Sequence, residues 1–367
     1  MKKFFSRSSP IVLGALIIIA LYFLIVGLVA SQKVLAPLIL ALVLALLVYP
    51  IAQVLEKRGL HRILSTSFVV GMVFVGFIGV SAVISLQVRS FLEDADVMKE
   101  RLSPVAKKVE LFVLAHTPLE QDKLEAYKTS YGLNGKELNE EEESSELKQE
   151  EAFLMLGKVM GTAADFLLIF VYLFFLIHFR HMFYTFILKL FPDDSKMKVK
   201  RVTHDSAQVV RHYLNGRLIL MVILVVLYSL GMWISGAEDF LLISFIAAFL
   251  SLIPFIGNMA GYVLALFIGL LSGGEFETLV GISATFLIVQ FLDSYIFQPI
   301  ILGNKVDVHP FFIILAVIIG NAIWGIIGMV LSIPIIAIIT VILRETPGAT
   351  AFAYLLSNGD VSNSQNK

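Results

Sequence analysis

Two long apolar runs in the C-terminal half, interrupted in the same way, restrict what this chain can fold into. The first run spans 240–271 and the second 310–343, and each is about 32 residues long. A helix that crosses a hydrocarbon core of about 30 Å needs about 20 residues. Each run is therefore too long for one crossing and too short for two with a loop. The interruptions are Pro254, Gly257, Asn258 and Gly261 in the first run, and Gly320, Asn321, Gly325, Gly328 and Pro334 in the second.

These lengths and breaks predict two re-entrant hairpins, each made of two half-helices. Backbone leaves helical geometry at membrane depth only where protein or a wet cavity satisfies its hydrogen bonds. Paired broken segments in related positions are typical of the substrate site of a transporter. The alternative is a pair of long kinked spans whose glycines serve helix packing. The Gly-Asn pair at both breaks favours the hairpins.

Composition places the chain in a membrane. Hydrophobic residues make up 58% of it, charged residues only 16%, and the mean hydropathy is +0.87, outside the usual ranges for soluble domains. The absence of cysteine excludes disulfides, thiolate catalysis and cysteine-ligated metals. There is no HExxH, GxSxG or P-loop motif, and no nucleic-acid motif, so the sequence predicts neither an enzyme nor a nucleotide-driven pump.

The predicted fold is an all-α polytopic membrane protein with about six full transmembrane helices, two re-entrant helical hairpins and an amphipathic helical extracytoplasmic insertion. The full spans are expected near 11–30, 34–55, 63–86, 159–179, 218–234 and 278–297. The predicted domains are a three-span scaffold at 1–86, the insertion at 87–158, a fourth span with a basic cytoplasmic amphipathic segment at 159–217, a transport core with both hairpins at 218–345, and a polar cytoplasmic tail at 346–367.

The insertion has a composition unlike the rest of the chain. Apolar residues at helical spacing predict amphipathic helices, and an acidic run, NEEEESSELKQEE, follows them. The run is interpreted as a solvated helix or loop. Calcium binding is the alternative, but the run lacks the alternating Asp/Asn and Gly of a known calcium loop, so no metal site is predicted.

Basic residues gather on one side if the first five spans are complete crossings. They lie at 2–7, at 57–62 and throughout 180–217, and such residues mark the cytoplasmic side. Both termini are then cytoplasmic and the insertion lies outside. The fifth span with its hairpin and the sixth span with its hairpin are predicted to be inverted repeats, with substrate held near the membrane midplane.

Polar residues near the end of the sixth span are the main candidates for function. Gln290, Asp293 and Ser294, with Gln298 one turn further, share much of one helix face. An acid in or near the membrane is costly and is commonly a proton or cation carrier. In the competing interpretation, Asp293 lies at the cytoplasmic interface and caps a backbone amide or pairs with Lys305.

Other candidates lie at the breaks and in the linker between the hairpins. Asn258 and Asn321 can donate and accept hydrogen bonds at half-helix ends. Asp165 and His178 in the fourth span are interpreted as packing residues or as lying near its ends. The predicted substrate or ion pathway comprises Pro254, Gly257, Asn258, Gln290, Asp293, Gln298 and Asn321, and the predicted hinge or structural positions are Pro299, Gly303, Pro310, Gly320, Gly325 and Pro334.

Several of these stretches resemble the autoinducer-2 exporter family of membrane transporters. They are the break at 254–258, DSYIFQPIILGNKVDVHP at 293–310, the Gly325, Gly328 and Pro334 set, and YLNGRLIL at 213–220. The resemblance implies export of small signalling solutes in some members and sodium or lithium exchange for protons in others. It also implies a homo-oligomer, a pentamer, in which the N-terminal spans contribute to assembly. The acidic insertion departs from this pattern.

The sequence therefore predicts a secondary transporter of the bacterial inner membrane that exports a small polar solute or signalling molecule. The expected partners are the lipid bilayer, the solute or a monovalent cation, and further copies of the chain. No cofactor is expected, and H⁺ and Na⁺ are the candidate coupling ions. The alternatives are a sodium or lithium/proton antiporter, and a membrane scaffold that binds an envelope partner through the insertion.

Overall fold

The computed structural model describes residues 10–93, 166–254, 256–272, 275–303 and 307–357. Regular structure in these segments is helical, with no strand, which confirms the predicted all-α class. Most of the predicted insertion, with its acidic run, lies outside the described residues, as do Asp165 and Lys305.

The N-terminal part consists of three helices, α1 (Pro10–Ala30), α2 (Gln32–Lys57) and α3 (Arg62–Glu93). Helix α3 continues past its predicted end at Leu86. Helix α4 (Phe166–His178) packs with α2 and α3 around a shared apolar core. It is followed, after a bend of 67°, by the short helix α5 (Arg180–Lys189).

Helix α6 (Asp193–Ile234) is 42 residues long and joins two segments that were predicted to be separate. The basic amphipathic segment and the fifth span form one continuous helix, which crosses the predicted boundary at 217/218. The reason is that the buried residues keep the same helical spacing on both sides of this boundary, as Val210, Leu220 and Leu224 show by lying on one face of the helix. At 1.5 Å per residue, α6 is about 63 Å long, so it must extend well beyond the bilayer.

Hairpin 1 consists of α7 (Phe240–Leu250) and α8 (Ile256–Leu271), with a turn at 251–254. The two helices touch through backbone. A methyl group at Gly257 would lie 1.7 Å from the Leu250 carbonyl oxygen, and one at Gly261 would lie 3.1 Å from the Ala247 Cα. Glycine therefore permits the close approach, and the predicted break is confirmed.

Helix α9 (Phe276–Leu292) leads into a five-residue π-helical turn (Asp293–Phe297) and the short helix α10 (Gln298–Ile301). Pro299 accounts for the wider turn, because a proline ring collides with the carbonyl four residues earlier in an α-helix.

Hairpin 2 is α11 (Pro310–Glu345), which folds back on itself at Trp324 and Gly325, the two residues with non-helical backbone angles. The Ser332 hydroxyl donates to the Ala316 carbonyl at 2.8 Å, and Gly320 lies directly against Gly328. Although α11 has the length and hydropathy of a span, residues 16 positions apart in sequence can meet only if the two halves run antiparallel. The second hairpin is therefore confirmed, and a short helix, α12 (Thr350–Leu356), follows it.

Helix α6 is in contact with both hairpins. With α7, α8 and α9 it forms a ring of four helices, in which each packs against the next. The interior of this central bundle (α6, α7, α8 and α9) contains Tyr228, Met232, Ile243, Ala265 and Phe286. Hairpin 2 packs instead on α1, α2, α6 and α12, with Trp324 Nε1 donating to the Leu28 carbonyl at 3.0 Å.

Candidate functional site

The tip of hairpin 1 meets α9 through a pair of side-chain amides. Asn258 Nδ2 donates to Gln290 Oε1 at 2.8 Å, and Gln290 Nε2 donates to the Ser294 hydroxyl at 3.0 Å. Asn258 Oδ1 is buried without a hydrogen-bond partner among the described residues. The structure thus brings together two predicted pathway residues that are 32 positions apart, and one of them keeps an unused acceptor.

Asp293 lies at the start of the π-helical turn and is only 1% exposed. Gln298 Nε2 donates to its Oδ2 at 2.7 Å. Its other oxygen, Oδ1, is buried and has no partner among the described residues. Burial of a carboxylate with an unpaired oxygen is costly unless a proton, a cation or a donor completes it. A carboxylate in this position can bind and release a proton or a cation, as an ion carrier must.

The π-helical turn explains why Asp293 and Gln298 pair. In a regular α-helix, residues five positions apart point in different directions, whereas π-helical bonds join residue i to i+5. The backbone N–H of Gln298 accordingly donates to the backbone carbonyl of Asp293. The sequence predicts that these residues share a face, but it gives no sign of the widened turn that produces the contact.

Two observations bear on the alternative placement of Asp293. Its side chain is buried inside the protein and not exposed at an interface, and its hydrogen-bond donor is the Gln298 amide and not a backbone N–H. Lys305, the other suggested partner, lies outside the described residues. The role of Asp293 stays a prediction, now with a defined local geometry.

Asn321 lies apart from these residues. It is exposed on hairpin 2, and that hairpin packs on α1, α2, α6 and α12. Within one chain, the Asn258–Gln290 pair and Asn321 therefore belong to different surfaces.

The remaining predicted positions lie at turns and close contacts. Pro254 is buried in the turn of hairpin 1 beside Gly257. Gly303 and Gly325 have positive φ angles of 53° and 58°, which favour glycine. The predicted hinge residues are distributed as follows: Pro299 in α10, Gly303 after it, Pro310 at the start of α11, and Gly320, Gly325 and Pro334 within hairpin 2.

Two further residues lie near predicted positions of the site. Tyr228, which sequence reasoning missed, is buried in α6 with its ring centroid 4.7 Å from that of Phe286 in α9. Its helical spacing with Leu224 and Met232 was the available clue. His178, considered in the sequence analysis, ends α4 and stacks on Phe174, as expected for a packing residue near a span end.

At the opposite end of the central bundle, a hydrogen bond closes the base of hairpin 1. The Ser272 hydroxyl donates to Asp239 Oδ2 at 2.5 Å. A cavity of about 180 Å³ lies beside this bond and is lined in part by Glu238, Glu275 and Thr278. In the described part of the chain, no group of three or more His, Cys, Asp or Glu residues is arranged to hold a metal ion.

Comparison with known proteins covers nearly the whole chain. A family model described as AI-2E family transporter matches residues 15–348. YhhT, an inferred transport protein of Escherichia coli (strain K12), is 24% identical over 93% of both chains. YrrI, an inferred transport protein of Bacillus subtilis (strain 168), is 32% identical over 131 residues, which is 36% of each chain. The match to YueF, an inferred transport protein of the same organism, covers 50% of that protein at 25% identity.

Proposed function

The chain belongs to the AI-2E transporter family, and on that basis we propose that it is a secondary transporter that exports a small polar solute or signalling molecule. Membership in the family and its long apolar helices make it an integral membrane protein. Relatives that it resembles have names that assign them to transport and name no substrate, and the substrate class is therefore part of the proposal.

One observation carries the proposal, namely the buried Asp293 beside the joint between hairpin 1 and α9. The carboxylate has one oxygen without a partner among the described residues, and the neighbouring Asn258–Gln290 bond links a re-entrant tip to a spanning helix. Because Gln290 lies one helical turn before Asp293, a change of charge on the carboxylate would act directly on the contact between hairpin 1 and α9. We assign Asp293 as the coupling group, and Asn258, Gln290 and Gln298 as the polar groups that contact the solute or hydrated ion.

A sodium or lithium/proton antiporter is the second candidate, and the same carboxylate favours it. A single buried carboxylate with an unused oxygen can be neutralised by a proton or by a small monovalent cation, but not by both at once. Exchange follows if the two compete for this one site and the site opens to the two sides of the membrane in turn only while it is occupied. The scaffold alternative depends on the insertion, most of which lies outside the described residues, and the described structure offers it no specific support.

The proposed location is the bacterial inner membrane, with both termini in the cytoplasm. The support is the basic character of 180–217, which has eight Lys or Arg residues against three Asp, because positive loops stay inside. The proposed assembly is a homo-oligomer, a pentamer by family resemblance. Helix α1 is consistent with a role in assembly, because Ile18, Tyr22 and Phe23 are at least 63% exposed in the single chain.

Flux through purified protein in liposomes separates the two candidates. Proteoliposomes with an imposed pH gradient would be given sodium, lithium or a panel of small polar solutes. An exporter is expected to move a solute, with the flux responding to the pH gradient. Collapse of the gradient by sodium or lithium alone would establish the antiporter instead. No flux of any solute or cation above protein-free liposomes would contradict both candidates.

A further inference from the structure

Helix α5 turns away from α4, and side-chain contacts fix the angle of the turn. It bends 67° away from α4, and the junction is held by Arg180, whose Nη1 donates to Glu56 Oε1 at 2.9 Å and whose guanidinium lies 5.3 Å from the centre of the Tyr49 ring. Helix α5 is therefore held across the end of α4 and does not continue the span.

One face of α5 is apolar and uncovered. None of its ten residues is buried. Met182, Phe183, Phe186 and Leu190 are 57%, 40%, 59% and 63% exposed. Their spacing puts them on one side of the helix, with His181 on the other. A short helix that crosses the end of a span and exposes a stripe of large apolar side chains fits the boundary between headgroups and acyl chains.

Positive side chains adjoin this helix. Lys189 ends α5, and Lys198, Lys200 and Arg201 are exposed on the first turns of α6. The described residues place no carboxylate in ion-pair contact with these four, whereas Lys196 pairs with Asp193 at 2.5 Å. The α6 residues line an open groove of about 680 Å³ beside Tyr184 of α5.

The groove is not itself strongly positive, because Asp194, Asp205 and Glu345 also line it. The attraction for anions comes from the excess of basic over acidic residues throughout 180–217. Such a distributed charge suits a surface of many headgroups better than one small bound anion.

We propose that α5 lies in the surface of the membrane, with its apolar face in the acyl chains, and that Lys189, Lys198, Lys200 and Arg201 bind the headgroups of anionic phospholipids in that leaflet. The sequence pattern predicted an amphipathic helix in the basic segment that follows. The structure shows that this segment, from Asp193 onward, is the start of α6, and we place α5 at the interface instead. The inference does not depend on which solute the protein transports.

Because the chain contains no cysteine, single labels can locate α5. Phe186→Cys and the opposite-face control His181→Cys would carry an environment-sensitive fluorophore in the full protein, in nanodiscs of phosphatidylcholine and phosphatidylglycerol. A quencher attached to the acyl chains should reach the label at 186, and an aqueous quencher should reach the label at 181. Met182→Cys repeats the test if Phe186→Cys folds poorly. Aqueous access at 186 equal to that at 181 would overturn the proposal, as would shielding from both quenchers, which would indicate a covering protein surface.

The charge requirement has its own test, by native mass spectrometry of lipids that remain bound. The unmodified protein should retain phosphatidylglycerol in preference to phosphatidylcholine. In the variant Lys198→Gln/Lys200→Gln/Arg201→Gln, the ratio of retained phosphatidylglycerol to phosphatidylcholine should fall by about tenfold or more. In Lys196→Gln, whose charge is already paired, this ratio should stay close to that of the unmodified protein. An unchanged preference in the triple variant would contradict the assignment of these side chains.

Discussion

Glycine determines how closely the halves of each hairpin approach. In hairpin 1, Gly257 faces the carbonyl of Leu250, and in hairpin 2 a methyl group at Gly328 would lie 2.0 Å from the Gly320 carbonyl oxygen. In both places the obstacle is backbone, which cannot rotate away as a side chain can. These positions therefore exclude any side chain.

Gly257→Ala and Gly328→Ala are expected to destabilise the protein by about 3 kcal/mol each, the upper end of overpacking effects. Gly76→Ala is the matched control, since a methyl group there meets nothing within 4 Å and alanine is the better helix former. The measurement is unfolding in mixed micelles. Equal stability of Gly257→Ala and Gly76→Ala would contradict the close packing of hairpin 1.

The Asn258–Gln290 hydrogen bond should be measurable as a coupling between the two residues. A double-mutant cycle with Asn258→Ala and Gln290→Ala is expected to give about 0.5–1.5 kcal/mol in unfolding free energy, and each single variant should also impair transport. Tyr262→Phe is the control, because it removes another bond between α8 and α9, the 3.0 Å contact with Ser283. That variant should lose stability and keep transport. A coupling of zero would show that the amides do not interact in the folded protein.

At the scale of elements, hairpin 2 has the most easily tested geometry. The pair Ala316→Cys/Ser332→Cys should form an intramolecular cross-link, because the Ser332 hydroxyl reaches the Ala316 carbonyl across the hairpin. In a continuous helix these positions would be about 24 Å apart. The loss of both thiols is read by alkylation and mass spectrometry, with Ile318→Cys/Ser332→Cys as the control pair. The control pair should keep both thiols, because Ile318 is 60% exposed and lies on another face of the helix. If the pair at 316 and 332 does not cross-link, hairpin 2 is not folded as described.

The two hairpins were predictable because their lengths do not fit the bilayer and because Pro254, Gly257 and Gly325 break the runs. The Asn258–Gln290 pair could not be predicted, since its members are distant in sequence and meet only after α8 packs on α9. The π-helical turn was also hidden, because a local widening leaves the helical pattern of side chains nearly unchanged. The start of the helix that contains the fifth span was predicted too late in the chain, because the polar and apolar parts of α6 share one helical period, and a membrane boundary does not end a helix.

At the scale of the whole molecule, α6 is the element through which the two hairpins can influence each other. Hairpin 1 packs on α6 within the central bundle, and hairpin 2 packs on α6 from the side of α1 and α2. Tyr228 of α6 packs on Phe286 of α9, and the π-helical turn that begins at Asp293 contacts α6. We expect a change at the carboxylate to be transmitted through these packed helices. The central claim is therefore that Asp293 couples flux to a proton or a monovalent cation.

The most direct test compares Asp293→Asn with Asp239→Asn in proteoliposomes that carry an imposed pH gradient. Both variants replace a carboxylate at the end of a central-bundle helix with an amide of the same shape, and the amide oxygen introduced by Asp239→Asn could still accept from the Ser272 hydroxyl. We expect that Asp293→Asn no longer links flux to the pH gradient or to added cation, while Asp239→Asn behaves like the unmodified protein. Unchanged rate and pH dependence in Asp293→Asn would contradict the coupling role and leave Asp293 with a structural one.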